Sequence, residues 1–532
     1  MPISRRDLVK VGGSAAALAV IPRPLLARIG ARPEPVPLIE DPRLKPLAQR
    51  ALDAARTAGA SYADVRLTHT RTRGFGTAGA RDTEGIVVGV RALAQGYWGF
   101  ASGPVWSPDE MVRLGREAVH QAKTNALGGS RVAELAPTPA VSGHWTMPVK
   151  IDPFALYPAE IMDYLGGLSR FIDRLGWSAT DNRCRFSVQE KAFASTDGSF
   201  CTQRLYLGLG NLDIEPGPGQ QAPGLIGGKV DLLSAAGLGW ELYRDQPLRE
   251  AIRRLIDERK ADAKLPLKPI DVGRYDTVVD ARTVTRFVTQ TLGRATELDR
   301  ALGYEANAGG TSYLNDPLEM FGSYQAGAPL LTLTANRTEA GAAATVNWDD
   351  EGVVPDEFTI VKDGVLTDFQ TTRESAAWLK DQYTKGGRPL RSHGCSHAPS
   401  GLESPLQHAP NLTLAPGGKA LDFDALVAGV SKGIAVKEGG LDMDFQNLSG
   451  LGTGQAFEIK GGKRVARIAS AGFLFRAPEL WKSLLAAGGA QSAQRYGFQT
   501  QKGEPAQEAY HSVTAVPAVF KQLTFIDPLR KA

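Results

Sequence analysis

Helical and strand-like hydrophobic spacing alternate along the first quarter of the chain. Residues 41–57 carry Leu and Ala at helical spacing, which predicts an amphipathic helix. Three β-rich runs punctuated by glycine follow, namely YADVRLTHTRTRGF, GIVVGVRAL and GYWGFASG. A second helix is predicted from Pro108 to near Lys123, because Ser107 is placed to cap it. This pattern predicts one α/β unit over residues 40–124.

A second unit is predicted over residues 150–265. The segment before it, residues 125–152, is rich in proline and glycine and has little periodicity, which indicates a connector. A helix near 154–175 is followed by two strand-like runs on either side of Thr196-Asp197-Gly198, where Asp-Gly is a strong hairpin signal. A charged helix over residues 248–265 closes the unit.

The C-terminal half, residues 270–532, is mostly β in pattern. Its runs alternate or are continuously apolar between glycine and aspartate turns, among them DTVVD, AAATVNW and GQAFEIKGGKRVARIAS. Such spacing is typical of a barrel or a large curved sheet. We therefore expect an α+β protein, with an α/β N-terminal region followed by a β-rich, barrel-like C-terminal domain.

One clear helix opens this C-terminal domain, and it includes the segment FVTQTLGRATELDRA at residues 287–301. Asp280 is placed to cap the helix. Apolar residues recur at i, i+3 and i+4 intervals, at Val284, Phe287, Val288, Leu292, Ala295 and Leu298. At about 100° per residue, Thr289 and Gln290 fall away from that apolar stripe. The helix is therefore expected to present polar side chains to something other than its own core.

Length, composition and charge narrow the classes of partner. The chain has 532 residues, of which 42% are hydrophobic and 22% charged, as in typical globular domains. This length predicts two to three domains. The net charge of +4 is small for this size, and no basic run is interleaved with aromatic residues. Nucleic acid is therefore not an expected partner.

The first 31 residues have the organisation of an export signal. A basic start is followed by a weakly apolar stretch at residues 11–21 and then by small residues around Ala27 and Ala31. The segment SRRDLVK at residues 4–10 closely resembles the twin-arginine (Tat) signal. The apolar stretch is too short to span a bilayer. We expect export of the folded protein to the periplasm or another extracytoplasmic compartment, with no membrane span after the signal is removed.

Export would place the three cysteines, Cys184, Cys201 and Cys395, where disulfides can form. An odd count in a long chain does not indicate a disulfide framework. Cys184 and Cys201 lie in a strand-rich stretch with a turn between them, so they could face each other. The alternative is that all three are small buried side chains.

Several of these stretches, in this order, resemble the TldD/PmbA family, once described as modulators of DNA gyrase. YADVRL and GVRALAQGYWGFAS, followed by a helix ending in AVHQAK, resemble its first domain, and the STDGS turn resembles its middle region. The stretch NWDDEGVVPDEFTIVKDGVLTDFQTTRESA resembles the family's C-terminal stretch with DDEG, a strand, a glycine turn and a closing Ser-Ala. The resemblance extends from about residue 45 to about residue 530.

The resemblance implies a metallopeptidase relative with a changed metal site. TldD-type members carry His-Glu-x-x-x-His on a helix of the C-terminal domain and a cysteine ligand near the C terminus. PmbA-type members, also called TldE, lack this motif and pair with a catalytic subunit around a chamber for short or unfolded peptides. In this chain the matching helix has Thr289 at the first His, Gln290 at the Glu and Arg294 at the second His. GFQTQKGEPAQEAY stands where the cysteine is expected, and no cysteine follows Cys395.

The replacements at these positions are unsuited to zinc chemistry. A zinc peptidase needs imidazole or anionic ligands, an open position for water and a carboxylate that takes the proton of that water. Thr289 is a poor zinc ligand, Gln290 has no proton to exchange, and the guanidinium of Arg294 has no lone pair and repels a cation. Two interpretations are open for Arg294. It lies on a solvated helix face and pairs with Glu297, or it binds a peptide carboxylate inside the chamber.

Two other clusters offer alternative chemistry. In the loop SHGCSH, the side chains of His393, Cys395 and His397 alternate, and His408 or His511 would have to supply a fourth metal ligand. This loop is the alternative zinc site, and the other interpretation of it is a surface or interface loop. The acidic run Asp349-Asp350-Glu351 either binds a cation or, as aspartate and glycine beside a strand usually do, forms a turn.

The sequence therefore predicts a metallopeptidase-related protein involved in peptide proteolysis whose own metal site is lost. The favoured role is the non-metal-binding, PmbA/TldE-like subunit of a peptidase assembly, without a cofactor. Its expected partner is a TldD-like paralogue with an intact motif, or a second copy of itself, and its expected substrates are short or unfolded peptides. The alternatives are an active zinc peptidase that uses the SHGCSH loop, and an extracytoplasmic peptide-binding protein without catalysis.

Overall fold

The computed structural model describes residues 39–76, 79–129 and 132–529. The expected Tat signal, residues 1–31, lies outside these residues. Among the helices that the structure describes, none combines the length and the apolar character needed to cross a bilayer.

The N-terminal unit has the predicted order of a helix, three strands and a helix. Its elements are α1 (Leu44–Ala58), β1 (Tyr62–Gly76), β2 (Gly79–Ala94), β3 (Tyr97–Gly103) and α2 (Pro108–Ala126). Ser107 caps α2, because its side chain accepts a hydrogen bond from the backbone N–H of Glu110 at 3.3 Å. Small and aliphatic side chains of both helices, among them Ala48 and Leu114, pack against strand residues such as Val90, and all three are fully buried.

The central unit extends the same sheet. Its elements are β4 (Ser142–Thr146), α3 (Pro158–Arg174), β5 (Trp177–Ser195), β6 (Phe200–Pro216), β7 (Gly228–Lys229), α4 (Glu241–Arg244) and α5 (Leu248–Ala263). β5 and β6 form the predicted hairpin around Asp197-Gly198. Because β1 pairs antiparallel with β5, both units share one seven-stranded sheet in the order β3-β2-β1-β5-β6-β4, with β7 on β6.

The segment interpreted as a connector, residues 125–152, contains the edge strand β4. This strand pairs parallel with β6, from Ser142 opposite Phe200 to Thr146 opposite Arg204. Four of its five residues are exposed, so it has no hydrophobic alternation by which the sequence could reveal it.

The expectation that Cys184 and Cys201 could face each other is wrong. In the β5–β6 ladder Cys184 lies opposite Gly210, and Cys201 lies opposite Phe193. Cys184 and the partner of Cys201, Phe193, are therefore nine residues apart on β5, which corresponds to about 30 Å along the strand. Both cysteines are free and buried, as is Cys395.

The C-terminal domain contains sixteen short to medium strands and seven short helices within the described residues. They are β8 (Leu267–Lys268), β9 (Gly273–Val279), α6 (Ala281–Phe287), α7 (Leu298–Ala301), α8 (Pro317–Met320), β10 (Leu333–Asn336), β11 (Glu357–Lys362), β12 (Val365–Leu366), α9 (Arg373–Ala377), α10 (Lys380–Lys385), β13 (Ser396–His397), β14 (Leu406–Gln407), β15 (Asn411–Leu414), α11 (Phe423–Ala428), β16 (Lys432–Met443), β17 (Ser449–Lys460), β18 (Lys463–Ile468), β19 (Gly472–Arg476), α12 (Ala477–Lys482), β20 (Leu484–Ala487), β21 (Gln494–Lys502), β22 (Gln507–Ala515) and β23 (Ala518–Ile526).

Five of these strands close into a barrel. The order β16-β9-β23-β19-β17 runs through one sheet, and β16 pairs again with β17, which closes the ring. A second, six-stranded sheet has the order β12-β11-β10-β15-β22-β21, so β21 is an edge strand. The predicted α+β fold, with an α/β N-terminal region and a β-rich, barrel-like C-terminal domain, is confirmed.

The helix that opens this domain packs against the barrel strands. Asp280 caps α6 as predicted, because its carboxylate accepts a hydrogen bond from the N–H of Thr283 at 3.0 Å. The ring of Phe287 is fully buried and lies 5.5–5.9 Å from the rings of Phe473, Phe475 and Phe520. A π-helical segment, Val288–Gly293, continues directly from α6. The helix is therefore anchored in the core at Phe287, two residues before the degenerate motif begins at Thr289.

Candidate functional site

The three positions that correspond to the metal motif line one groove. Thr289, Gln290 and Arg294 form one wall, and residues 498–501 of β21 form the other. The groove is open to solvent and has a volume of about 440 Å³. The structure thus brings the predicted residues together with the segment GFQT, which stands where catalytic relatives are expected to carry their cysteine.

The π-helical geometry explains why these side chains share a wall. In the segment Val288–Gly293, hydrogen bonds join residues five apart, as in the bond from the N–H of Arg294 to the carbonyl of Thr289 at 3.1 Å. A π turn is wider than an α turn, and such turns occur frequently at functional sites. The 100° periodicity assumed from the sequence therefore does not hold across the motif. Instead, Arg294 follows Thr289 by one π turn.

Thr289 is buried rather than part of a solvated helix face, which corrects that interpretation. Only 3% of its surface is exposed, and its hydroxyl lies 3.4 Å from Nε2 of His511 on β22. The His511 ring stacks on Phe498, the β21 residue directly opposite it. Burial, and secondly the charge of Arg294, lowers the pKa of His511 to about 4. His511 is therefore a neutral imidazole beside the groove at neutral pH.

Arg294 does not pair with Glu297, so the proposed i+3 contact is wrong. Its Nη2 instead donates to the carbonyl of Gln501 on β21 at 3.2 Å. Glu297 is buried and accepts from Nζ of Lys502 at 2.7 Å, and Asp299 accepts from the same ammonium at 2.9 Å. Burial opposes the charge of Lys502, but these two carboxylates outweigh it and raise the pKa of Lys502. The cationic side chain of Arg294 is thus left without a carboxylate partner among the described residues.

β21 offers a free backbone edge next to Arg294. The N–H of Gly497 donates to the hydroxyl of Ser234, and the carbonyl of Gln501 accepts from Arg294. In an antiparallel strand the N–H and C=O of one residue point to the same side, and that side alternates along the chain. Gly497, Gln499 and Gln501 therefore face away from β22. The N–H and C=O of Gln499 have no hydrogen-bond partner in the part of the chain that the structure describes.

The side chains of this groove do not fit a catalytic zinc ion. Zinc peptidases hold the metal with three protein ligands and leave one position open for water. Here the groove offers a buried threonine, an amide and a guanidinium, together with Phe498, Gln499, Thr500 and Gln501. A guanidinium has no lone pair and carries a fixed positive charge. His511 is the only imidazole adjacent to this wall among the described residues, and one imidazole does not make a site.

The SHGCSH loop does not form the alternative zinc site. His393 is buried, and its two ring nitrogens lie 2.8 Å from Asp356 and 3.1 Å from Asp368. Burial opposes the imidazolium, but the hydrogen bonds to both carboxylates outweigh it and raise the pKa of His393 to about 9. A protonated imidazole cannot ligate a metal. Across residues 39–76, 79–129 and 132–529, no group of three or more His, Cys, Asp or Glu residues is arranged to hold a metal ion.

The rest of the loop is packed against other segments of the C-terminal domain. Cys395 is fully buried, and its backbone N–H donates to the carbonyl of Thr371. His397 lies 3.6 Å from Asp350 and forms an edge-to-face contact with His408. These histidines are therefore directed away from the surroundings of His393, and the stretch does not present its side chains on one common face.

The acidic run Asp349-Asp350-Glu351 forms a turn, as aspartate and glycine beside a strand usually do. One carboxylate oxygen of Asp349 accepts from the N–H of Glu351 and of Val353, each at 2.9 Å. Burial and the nearby charge of Glu351 raise the pKa of Asp349 to about 7.

The other two acids of the run connect the C-terminal domain to the N-terminal sheet. Both oxygens of Asp350 accept from Nζ of Lys191 on β5 at 2.9 Å. Glu351 accepts from Arg91 on β2 at 3.1 Å, and Arg91 also donates to Asp64 on β1 at 2.7 Å. All of these side chains are at most 7% exposed. The DDEG motif is thus a buried ionic contact between the two halves of the molecule.

A family model confirms the relationship that these features suggest. Residues 272–524 match the model described as the PmbA/TldA metallopeptidase C-terminal domain. The chain belongs to the TldD/PmbA family. The match covers the helix with the degenerate motif, strand β21 that forms the other wall of the groove and nearly all of the barrel, so the site described above lies within the family's C-terminal domain.

Curated relatives of this TldD/PmbA member are named as metalloproteases. A metalloprotease of Methanocaldococcus jannaschii is 23% identical over 430 residues, which is 77% of this chain and 86% of that protein. A metalloprotease of Methanothermobacter thermautotrophicus is 27% identical over 427 residues, which is 76% of this chain and 82% of that protein. The relationship therefore extends beyond the C-terminal domain into the N-terminal sheet.

Solved structures share the whole fold. A proposed modulator of a DNA gyrase from Thermotoga maritima superposes with a TM-score of 0.68 at 14% identity, over 91% of this chain and 100% of that chain. TldE from Thermococcus kodakarensis superposes with a TM-score of 0.65 at 13% identity, over 90% and 99% of the two chains. At these identities the likeness shows a common fold.

Proposed function

We propose that this chain is the non-metal-binding, PmbA/TldE-like subunit of a peptidase assembly, in which it holds peptide for cleavage elsewhere. The observation that carries the proposal is the composition of the groove. It combines a cation and a free strand edge, both suited to peptide, with no side chain that can hold zinc or accept a proton from zinc-bound water. The metalloprotease names of its relatives support peptide proteolysis as the setting of this role.

Short or unfolded peptides match the groove because they can add a strand to β21. Strand addition uses main-chain hydrogen bonds and therefore accepts many sequences. Gln499 offers one outward N–H and one outward C=O for such a strand. Arg294, whose Nη2 reaches the carbonyl of Gln501, stands at the end of this edge and suits a peptide carboxylate. The proposal thus assigns Arg294 to substrate binding rather than to a solvated surface.

The catalytic step then belongs to a partner. We propose a TldD-like paralogue with an intact His-Glu-x-x-x-His motif as that partner, with self-association as the alternative. If the Tat-like N terminus exports this chain, the partner must reach the same extracytoplasmic compartment. Coexpression of the paralogue and this chain, followed by purification of one through a tag on the other, would test the pairing.

The decisive experiment measures metal content and peptidase activity in one preparation of the folded, signal-less protein. Elemental analysis is expected to find no stoichiometric metal, and unstructured peptides are expected to stay intact until the catalytic partner is added. About one metal per chain with chelator-sensitive cleavage by this protein alone would overturn the proposal.

Peptide affinity provides the residue-level test. Arg294→Gln is expected to weaken binding of a peptide with a free C-terminal carboxylate by about tenfold and to leave the C-terminally amidated peptide unaffected. Arg50→Gln, an exposed position on α1, is the matched control for the lost charge. If Arg294→Gln weakened binding of the acid and of the amide equally, Arg294 would not bind the peptide carboxylate.

A further inference from the structure

A second cavity lies between the N-terminal sheet and the C-terminal domain, and no step of the proposed peptidase role uses it. Its floor consists of two cross-strand rows on β1, β5 and β6, Thr70–Gln189–Leu205 and Thr72–Ser187–Leu207. Its roof comes from residues 343–346, from His397 and His408 and from β22. The volume is about 270 Å³. This is below the ~300–1,000 Å³ of sites for drug-sized ligands, so it suits a smaller molecule.

Arg337 supplies this cavity with a buried positive charge that no carboxylate of the described residues contacts directly, although it lies close enough to Asp349 to oppose the rise in the pKa of that group. The residue is 4% exposed and lines the cavity. Its Nε donates to the carbonyl of Ala344, and its Nη1 donates to the carbonyls of Gly394 and Ser396. Its Nη2 makes no hydrogen bond, and its guanidinium forms no ion pair, within the described residues. A buried charge is costly unless it is paired, so the open Nη2 indicates an anionic ligand.

The surrounding polar groups favour one negative charge rather than two. Arg185 lies at the exposed rim, where its Nη2 donates to the hydroxyl of Tyr510 at 2.9 Å, and it forms no ion pair in the described part of the chain. Glu508 lies at the same rim and would repel a second anionic group. Burial lowers the pKa of His397 to about 3, so this cavity-lining ring stays neutral. His408, the other cavity-lining ring, has a buried Nε2 without a hydrogen-bond partner.

One side of the cavity is apolar, while Thr70, Thr72, Ser187 and Gln189 make the other part of the floor polar. Leu205 and Leu207 of β6 face Ala344, Val346 and Ala409 across the cavity. Such a lining stabilises an aliphatic or aromatic body through burial of apolar surface. An anionic end and an apolar body of this size describe a small organic acid.

We propose that this interdomain cavity is a binding site for a small organic monocarboxylate, with the carboxylate at Nη2 of Arg337 and the apolar body between β6 and the 343–346 segment. The ligand contacts both halves of the molecule, next to the DDEG contact. The cavity is separate from the peptide groove, although Tyr510 and His511 are consecutive on β22 and therefore face opposite sides of it. The proposal stands independently of the peptidase role.

The test uses the full signal-less protein and a matched set of probes. Isothermal titration calorimetry would compare butyrate, hexanoate and 3-phenylpropionate with 3-phenylpropionamide, the neutral analogue of the last. We expect saturable binding of the two longer carboxylates with a Kd on the order of 1 mM or below, and binding of the amide weaker by about tenfold. Acetyl-dialanine is included as a probe with a peptide C terminus. Comparing its affinity with that of hexanoate distinguishes a peptide ligand from a free metabolite.

Variants locate the binding. Arg337 also holds three backbone carbonyls, so its replacement risks misfolding, and two other changes are used instead. Ala343→Phe fills the cavity, and Arg185→Gln removes the rim charge. Each variant is expected to weaken the binding of 3-phenylpropionate by at least about fivefold. Arg183→Gln, an exposed residue on the same strand that does not line the cavity, should leave the affinity unchanged.

Three results would overturn the proposal. They are an absence of saturable binding for every carboxylate up to about 10 mM, equal binding of the amide and the acid, and unchanged affinity in folded Ala343→Phe protein. Tighter binding of acetyl-dialanine than of hexanoate would identify the carboxylate as a peptide terminus, and the reverse would identify it as a small metabolite. Either order supports the site, and neither depends on whether the peptide groove acts in proteolysis.

Discussion

Replacement of Glu351 by alanine should destabilise the junction between the N-terminal sheet and the C-terminal domain. The Glu351 side chain is 2% exposed, and its carboxylate accepts from both terminal nitrogens of Arg91 at 3.1 Å and from the backbone N–H of Arg373 at 2.7 Å. Arg91 is itself 7% exposed and retains one other carboxylate, that of Asp64. Glu351→Ala therefore leaves a buried cation half-paired and a buried N–H without its acceptor.

The expected loss of unfolding free energy is about 3 kcal/mol. Breaking a buried ion pair from one side costs ~3–5 kcal/mol, and a buried donor without a partner costs ~1–3 kcal/mol. The two contributions overlap, and the retained Asp64 contact keeps the total near the lower end of the ion-pair range. Glu351→Gln keeps the shape and one acceptor for Arg91, so about half of this loss is expected.

Urea unfolding monitored by tryptophan fluorescence would measure the loss, because the ring of Trp98 lies 4.2 Å from the Arg91 guanidinium. The matched control is Glu357→Ala, an exposed carboxylate on β11, which should stay within about 0.5 kcal/mol of the parent protein. In a double-mutant cycle, Arg91→Met with Glu351→Ala should show a coupling of at least about 1 kcal/mol. Equal midpoints for the Glu351 and Glu357 variants would refute the reasoning.

Three other outcomes are expected. Because the pKa of folded His393 is raised to about 9, its stabilisation is full below pH ~6.5 and is lost as pH rises through about 9; urea midpoints between pH 6 and 10 should show this fall in the parent protein and not in His393→Gln. Phe287→Ala should lower the unfolding free energy by about 3–5 kcal/mol in the same assay, and a loss below about 1 kcal/mol would contradict the packing. Burial raises the pKa of Cys201 and Cys395 to about 12, and also that of Cys184, so a thiol reagent should label none of them in native protein and all of them in urea.

Local patterns predicted several of the elements that bury one face. The helix of the motif is an example: Asp280 caps it, and its apolar positions enter the barrel core, because capping and amphipathic spacing are encoded within a few residues. The exposed edge strand β4 shows the opposite case. β4 forms a strand because it pairs with β6. Its own side chains have no alternation of buried and exposed residues that would indicate this pairing.

The contacts of individual site residues required the tertiary structure. One interpretation paired Arg294 with Glu297, three residues away, but Arg294 follows a π turn and donates to Gln501, and Glu297 accepts from Lys502 instead. His393, Cys395 and His397 alternate in the sequence, yet the carboxylates of Asp356 and Asp368 bind His393 away from the other two residues. Partners that are hundreds of residues away compete with local ones, and their geometry is not encoded in spacing.

The sequence by itself determined the family, the α+β fold class and the chemical unfitness of Thr289, Gln290 and Arg294 for zinc, because these depend on residue type and order. Only the tertiary structure decided what surrounds those residues. It brought the edge strand β21 and His511 to the motif, placed DDEG in a buried ionic contact with the N-terminal sheet, and enclosed a cavity lined by the buried Arg337. The physical reason is that burial and charge pairing depend on which distant segments pack together. Those contacts exist only in the folded chain and cannot be deduced from local spacing.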